Sequence, residues 1–568
     1  MQTAICHLLD MAVIEPVPIT ERSEGVYSLL FAVPKRDISW RAVLDLKFIN
    51  RFVKYRRFKM QSLHSITESL QEGDFLASID LKEAYLHVPI CIAHRKFLRF
   101  AFGPQHFQYR TMPFGLSSAP RVFTKVLLIL VAYLWLQGVH ICPYLDDLLI
   151  RASLSERAHQ HLKLTLHVWQ THGWLVNFDK SHLQPTQRLQ HLWAMLDTKQ
   201  AMVFLSSDRI TAVTDIARSL MRQATADVML LARALGMLVS TIHIVPWARA
   251  HTCHLQWALL PFQQDIANSN HRVIPLSSAL RLSFRWWTRV PNLTQGTLFK
   301  EPCRTVVTTD ASLLGWGAHC NSQFVQGVWT AAEQTQSINW LELKAVHFAL
   351  LHFQSLFPLD HVLIRTDNTC AKSHLNRQGG TRSRSLQNLA HLIFDWAEQN
   401  LHSLKAEHLR GIWNVTADWL SRQQVFPGEW KLHQTVFHLL QCRFGVFSVD
   451  LFASSRNCQL PRYFARYLDT TVEAVDALSL PWPEGLLYAF PPIPLLARTL
   501  RKARRERAQL VLIAPYWPRR PWFSDLLAMS VTDPWPLPVR PDLLSQGPVW
   551  HQDPTWLNLT AWLLNGDI

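Results

Sequence analysis

Hydrophobic positions along this chain fall into two rhythms. Short runs of β-branched and aromatic residues end in a carboxylate at Phe75-Leu76-Ala77-Ser78-Ile79-Asp80 and at Thr305-Val306-Val307-Thr308-Thr309-Asp310, and each predicts a strand with an acid at its end. Val362-Leu363-Ile364-Arg365-Thr366 predicts a third such strand, of parallel type, closed by Asp367. Ile141–Ile150 reads as a strand pair with acids at its tip, and Gly315-Trp316-Gly317-Ala318 as an antiparallel return. Longer apolar spacing predicts a helix over Arg121–Gln137, and residues 206–300 read as mostly helical, rich in Ala, Leu and Arg with few turn signals. The second α/β pattern closes near Arg422. Gln423–Glu429, with Pro427 and Gly428, reads as a linker, and the Pro- and Trp-rich end carries a cationic helix over Arg498–Arg507. The pattern divides the chain into regions 1–205, 206–300, 301–425 and 426–568, a multidomain α+β and α/β architecture.

Composition sharpens this picture in three ways. A hydrophobic content of 48% and 23 Trp in 568 residues supply several packed cores and exclude a disordered chain. The formal net charge of +15 favours a polyanionic partner. The nine cysteines form no C-x-x-C pair, which argues against a zinc site and fits free thiols in a reducing, intracellular compartment, cytoplasm or nucleus. No signal pattern opens the sequence. The longest apolar run, Val126–Leu136, falls short of the roughly 20 residues a membrane span needs, so it reads as a buried helix and no membrane partner is expected.

Candidate chemistry begins at Tyr144-Leu145-Asp146-Asp147. Two adjacent carboxylates between apolar runs are costly to bury unless cations compensate them. Hard divalent ions need carboxylate oxygens on rigid strands, and transfer of a phosphoryl group between nucleotides uses two such ions. A surface turn is the plain alternative, since Asp-Asp is common in turns. Asp80 and the stretch Met112-Pro113-Phe114-Gly115-Leu116-Ser117-Ser118-Ala119-Pro120 add to the pattern. So do Phe31-Ala32-Val33-Pro34-Lys35, Trp40-Arg41-Ala42-Val43-Leu44-Asp45-Leu46, Asn50, His172-Gly173-Trp174 and Lys180.

In this order the blocks resemble the reverse transcriptases of retroelements across residues 28–197. The resemblance implies a right-hand polymerase with fingers and palm in 1–205 and a helical thumb or connection in 206–300. It implies Mg²⁺ or Mn²⁺ held by Asp80, Asp146 and Asp147, with Lys35 and Arg41 on the triphosphate and Lys180 near the pyrophosphate. Tyr85 would lie under the incoming sugar, where a ring blocks a ribose 2′-hydroxyl, and Phe114 would line the nucleotide pocket. The implied partners are an RNA template, a DNA primer and deoxynucleoside triphosphates. One stretch departs from the family. His191-Leu192-Trp193-Ala194-Met195-Leu196-Asp197 carries Trp193 where the family has Gly, adding bulk at a close-packed turn that would grip the primer end.

Asp310, Glu342, Asp367 and Asp418 form a second series. Acids at strand ends converge on one edge of an open α/β sheet. Their order and contexts over about 305–422 resemble ribonuclease H domains, in which four carboxylates hold two metals that hydrolyse the RNA strand of an RNA–DNA hybrid. His408 matches a mobile histidine that assists product departure. Taken together the wording is most similar to DIRS-type retrotransposons, where a region resembling phage adenine-N6 methyltransferases follows. Val449-Asp450-Leu451-Phe452-Ala453-Ser454, Asn457 and Tyr488-Ala489-Phe490-Pro491-Pro492 echo that region. Phe490 before the prolines and Ile493 after them predict no methyl transfer, leaving a degenerate α/β tail. Arg501, Lys502, Arg504, Arg505 and Arg507 are its candidate nucleic-acid contacts, or a solvated helix face. Three functions follow: polymerase with ribonuclease H, ribonuclease H alone beside a polymerase crippled at Trp193, or an inactive nucleic-acid binder.

Overall fold

Burial of four consecutive residues, Leu76 to Ile79, along Phe75–Asp80 (β3) marks a strand covered on both faces, and this strand anchors the first half of the chain. The structure, a computed structural model, describes all residues except 1, 35–39, 55, 264–271, 358–359, 468–471 and 568. It divides into two compact units, Met1–Pro302 and Cys303–Ile568. In the first unit, a hairpin of β1 (Leu30–Pro34) and β2 (Trp40–Leu44) precedes β3. The strand β3 joins β4 (His140–Tyr144), β5 (Asp147–Ala152) and β6 (His182–Thr186) in an antiparallel sheet of order β4-β5-β3-β6. Helix α1 (Ala119–Leu136) buries Phe123, Leu127, Val131 and Leu134, a stripe at helical spacing, in the same core as Ile79, Ile141, Leu148 and Ile150. Each such side chain contributes about 1.5–3 kcal/mol on leaving water.

α1 corrects one expectation. Only that stripe is buried; Val126, Ile129, Tyr133 and Leu136 are exposed. The apolar stretch also extends back to Ala119, long and apolar enough by length and composition alone to cross a bilayer. The helix lies within two residues of the expected Arg121–Gln137.

Residues 206–300 are mainly helical, as expected: Ser207–Met221, Val228–Val239, Cys253–Leu259 and Ser278–Trp287. Two of these helices start at side-chain caps, Asp227 accepting from the Met229 amide at 2.7 Å and Ser277 from the Leu280 amide. The strands β7 (Arg188–His191), β8 (Ala194–Asp197) and β9 (Met202–Leu205) form a meander that Thr297–Leu298 extends. Residue 205 is therefore no seam, because chain from both sides of the helical region shares one sheet.

The second unit opens with a five-stranded sheet of order β12-β11-β10-β13-β14. Its strands are β10 (Thr305–Ala311), β11 (Gly315–Cys320), β12 (Gln323–Val328), β13 (Asp360–Thr366) and β14 (Leu401–His408). The first three run antiparallel; β10, β13 and β14 are parallel. Helices α2 (Ile338–His352), α3 (Arg384–Asn400) and α4 (Val415–Arg422) accompany them. Gly317 on β11 fixes the place of α4. A β-carbon there would meet Leu420 Cβ at 2.3 Å and the Ala417 carbonyl at 2.7 Å.

The chain's end folds into a second α/β sheet of order β17-β16-β15-β18-β19-β21-β20. Five parallel strands, β15 (Asp450–Ala453), β16 (Tyr463–Ala465), β17 (Ala474–Val475), β18 (Leu487–Ala489) and β19 (Gln509–Pro515), are followed by β20 (Trp535–Pro536) and the antiparallel β21 (Leu559–Asn565). Helices α5 (Leu496–Arg505) and α6 (Phe523–Met529) follow β18 and β19. All nine cysteines are free. The expected linker, 423–429, is a clamped strap. Its Phe426 amide donates to Gln546 Oε1 at 3.1 Å, and Gly428 lies so near Pro492 that a β-carbon would meet its ring at 2.9 Å.

Gly317→Ala is expected to lower stability by about 2 kcal/mol through overpacking of α4 on β11. Denaturant midpoints of wild type and variant measure it, and an unchanged midpoint removes this account of α4.

Candidate active sites: two carboxylate clusters

Strand register builds the first cluster. Asp80 is the Cα partner of Asp147, and Tyr144 pairs with Asp147 across a two-residue turn of Leu145 and Asp146. Leu145 holds φ +53, a left-handed conformation that is strained for a leucine. Cross-links hold the strand ends together. The Leu81 amide donates to the Asp146 carbonyl at 2.9 Å, the Asp80 amide to Ser181 Oγ at 3.0 Å, and the Asn177 amide to the Asp80 carbonyl at 2.8 Å. Three carboxylates thus meet at one sheet end.

Burial and mutual repulsion govern their protonation. Asp147 is pushed up to about 7 by burial, with Asp146 and Asp80 adding to it. Burial also raises Asp146, and burial with the charge of Asp146 raises Asp80, which a hydrogen bond to the Asn177 side chain offsets in part. Lys180 opposes the rise at all three acids, and Arg41 opposes it at Asp146, so both cations lie within electrostatic reach of the cluster. Neither reaches it as an ion pair among the described contacts. Three acids raised chiefly by burial, with no close cation partner among the described residues, fit divalent ions.

The nucleotide-side residues assemble beside them. Arg41 lies over the Phe114 ring with its guanidinium carbon 4.5 Å from the centroid, and Tyr85 packs against Phe114 at 5.2 Å and Phe123 at 5.5 Å. Gly115 makes this possible. It holds φ +108, and a β-carbon there would meet the Leu44 carbonyl at 2.3 Å. The Asn50 amide group bridges Gly115 O at 2.9 Å and the Ser117 amide at 2.8 Å, so loop and hairpin share one frame. Lys35 lies outside the described residues.

Trp193 finds a packed place. Leu192 and Trp193 form the turn between β7 and β8, with Leu192 at φ +55 and His191 paired to Ala194. The expected crowding does not break the hairpin, because the indole projects edge-on to Tyr144, centroids 6.3 Å apart and planes at 80°. Trp193 therefore braces the residue that precedes the Leu145-Asp146 turn.

The second cluster is tighter. Ligand oxygens of Asp310, Glu342 and Asp367 all lie within 4.8 Å of one another, the one such group among the described residues. Asp310 and Glu342 are buried. Asp310 Oδ2 accepts from Ser421 Oγ at 2.7 Å and Oδ1 from Asn414 Nδ2 at 3.2 Å. Burial, against the Ser421 hydrogen bond and with Asp367 and Asp418 nearby, sets Asp310 at about 6. Burial with Asp310 and Asp367 pushes Glu342 to about 9. This donor set also fits divalent cations. Asp418 stands apart from the expected four. It contributes to the field at Asp310, but its Oδ1 accepts from Arg422 Nε at 2.8 Å. His408 ends β14, paired with Thr366 and exposed, outside the tight group. Ser421, Asn414, Ser181 and Asn177 were not anticipated. Asn414 and Ser421 sit four before and three after Asp418, on one helical face, which is the signal that could have found them.

With this geometry in place, comparison with known proteins is informative. Residues 33–196 match the family model described as reverse transcriptase (RNA-dependent DNA polymerase). A polyprotein of Cassava vein mosaic virus is 21% identical over 398 residues, 67% of this chain and 58% of that protein. The enzymatic polyprotein of Cauliflower mosaic virus (strain Strasbourg) is 22% identical over 448 residues, 74% and 60% respectively. The Tf2-3 transposon polyprotein of Schizosaccharomyces pombe is 25% identical over 155 residues, 27% and 12%. Among solved structures, a foamy viral protease-reverse transcriptase in complex with RNA/DNA hybrid aligns with a TM-score of 0.45 at 17% identity, covering 75% of this chain and 54% of that one. The chain spans about three-fifths of the viral polyproteins it matches. It carries a reverse transcriptase domain of the kind found in retroelement polyproteins.

The raised acids make a signed prediction. A carboxyl group raised on folding contributes stability that is present at low pH and lost as pH rises through its folded value. In chelator, Glu342→Gln should therefore gain on wild type in thermal melts from pH about 5 to about 9, because there the unfolded wild-type chain ionises Glu342 while the folded chain must keep it protonated. Saturating Mn²⁺ should reverse the order. A pH-independent difference contradicts the assignment.

Proposed function

We propose that the chain is an RNA-directed DNA polymerase with ribonuclease H activity, copying RNA into DNA and cleaving the RNA of RNA–DNA hybrids. The observation that carries this reading is the gathering of strand-end carboxylates into two clusters, the first inside the reverse transcriptase domain. Asp80, Asp146 and Asp147 would hold divalent cations, Mg²⁺ or Mn²⁺, in the first site. Asp310, Glu342 and Asp367, with Asp418 once released from Arg422, would hold them in the second. Cations so bound supply charge neutralisation and a more acidic attacking hydroxyl or water.

The chain's own groups do the remaining work. Arg41 and Lys180 offset negative charge gathering on a triphosphate, and Lys35 would join them. Tyr85, held between Phe114 and Phe123, presents a rigid ring where a deoxyribose fits and a ribose 2′-hydroxyl collides. In the second site His408 would assist product departure at the strand end. The edge contact of Trp193 with Tyr144 supports a working primer-side turn over a damaged one. The mostly parallel sheet after the second cluster supports placement near DIRS-type elements with a degenerate methyltransferase-like tail, and the free cysteines support an intracellular setting.

One preparation assayed for both activities tests the proposal. Asp146→Ala should lower primer extension on an RNA template about a thousandfold, which is about 4 kcal/mol of transition-state stabilisation, and leave hybrid cleavage intact. Asp367→Asn should do the reverse. Wild type extending no better than Asp146→Ala sinks the polymerase reading. Tyr85→Ala should raise ribonucleotide incorporation roughly tenfold or more relative to deoxynucleotide, and unchanged selectivity removes Tyr85 from the sugar site.

A further inference from the structure

The cationic helix at the chain's end is largely neutralised. Lys502 is buried and bonded to Glu506 Oε1 at 2.7 Å. Arg504 faces Asp525 at 3.7 Å, Arg505 faces Glu506 at 3.7 Å, and Arg507 faces Asp567 at 3.5 Å. Of the five residues that the run Arg501–Arg507 offered for nucleic-acid contact, only Arg501 has no acidic partner among the described residues.

Arginines without a carboxylate partner among the described residues appear elsewhere, and the topology gathers them. In a doubly wound sheet the segments that follow the parallel strands all emerge at one edge, the carboxyl edge. Arg456 follows β15, Arg466 follows β16, Arg498 lies in the first turn of the helix after β18, and Arg519 and Arg520 follow β19. All five are exposed, and none has a carboxylate partner among the described residues. The opposite edge is paired: Arg462 bonds Glu473 at 2.7 Å before β16 and β17, and Arg507 meets Asp567 beyond β21.

Two features say how this edge is used. The first is that its central crevice is filled. β15 and β18 are adjacent strands whose chains leave in different directions, the usual place for a small ligand. The strap covers it, with Gly428 against Pro492 and Glu429 Oε2 accepting from Ser454 Oγ at 3.5 Å. Asn457, one of the residues that echo a methyltransferase region, is spent on the local turn, accepting from the Ser454 amide at 2.6 Å. What remains is a rim. The second is that aromatic rings are interleaved with the rim arginines. Arg466 lies 5.3 Å from the Tyr467 ring, which is 68% exposed, and Arg520 lies 5.4 Å from the Trp517 ring, with Tyr516 exposed alongside. Helices α5 and α6 each return from parallel neighbours and so run side by side in one direction. The Arg504–Asp525 contact ties α5 to the first turn of α6, the helix that follows the Arg519-Arg520 turn.

We propose that this carboxyl edge is a docking surface for single-stranded nucleic acid, with the rim arginines on phosphates and the exposed rings under bases. Arginines alternating with stacking rings fit a flexible strand, and a nucleic acid is the polyanion that a chain with a reverse transcriptase domain meets. The surface shares no residue with either carboxylate cluster, so its failure and theirs are distinguishable.

The test uses the full chain in chelator with a fluorescent oligo(dT) of about 30 nucleotides, long enough to span several of the roughly 4–16-nucleotide sites of such surfaces. The variant is Arg466→Gln, Arg498→Gln, Arg519→Gln, Arg520→Gln combined, with a paired-edge control, Arg462→Gln, Arg507→Gln. The rim variant should bind at least about tenfold more weakly, and its slope of log affinity against log salt should flatten by roughly 3, at about 0.7 per lost phosphate contact on a single strand. It should melt like wild type. Unchanged affinity and slope overturn the proposal. So does an equal loss in the control, or loss of binding to phosphatidylserine vesicles with oligonucleotide binding retained.

Discussion

Repulsion between carboxylates that the fold forces together is the constraint on which this molecule depends. In each unit a strand end delivers one acid into a partly dry edge, and neighbouring elements deliver the others. Among the described residues no cation pairs closely with the three acids of the first cluster: Lys180 and Arg41 act on it from a distance, and Arg422 occupies Asp418 at the margin of the second. Burial first, and the neighbouring acids after it, hold Glu342 at about 9 and Asp147 at about 7. A divalent cation relieves that repulsion, so that folding energy spent on gathering the acids is recovered as affinity for the ion.

The scaffolds around the two clusters differ in how they hold position. In the first, backbone pairing does the work: Asp80 opposite Asp147, and a strained Leu145 turn cross-linked to Leu81. In the second, close packing does it. Gly317 admits α4 so near to β11 that Ser421 reaches Asp310. The first turn is held by backbone bonds, with Trp193 packed edge-on against Tyr144. A helix locked on a glycine cannot shift without repacking.

Much of this was legible in the sequence, for a physical reason. An acid that ends a β-branched run has its environment set by the strand before it, so Asp80, Asp310 and Asp367 could be placed from local pattern alone. Trp193 shows the limit of such reading: size at a turn was visible, but the ring of Tyr144 that receives it was not. The strap at 423–429 read as a linker because Pro and Gly mark turns, whereas its tie to Gln546 lies more than a hundred residues away. The arginines show the same limit most sharply. The run Arg501–Arg507 stands out in sequence and is neutralised in space, while Arg456, Arg466, Arg498, Arg519 and Arg520 are scattered in sequence and share an edge in space. Charge patterns become surfaces only through topology.

If both clusters are built for divalent cations, crystals soaked in Mn²⁺ reveal it directly through anomalous scattering. Anomalous peaks are expected bonded to Asp80 and Asp146 and to Asp310, Glu342 and Asp367, the latter lost in Asp367→Asn. Full-occupancy Mn²⁺ elsewhere with both clusters empty would contradict it.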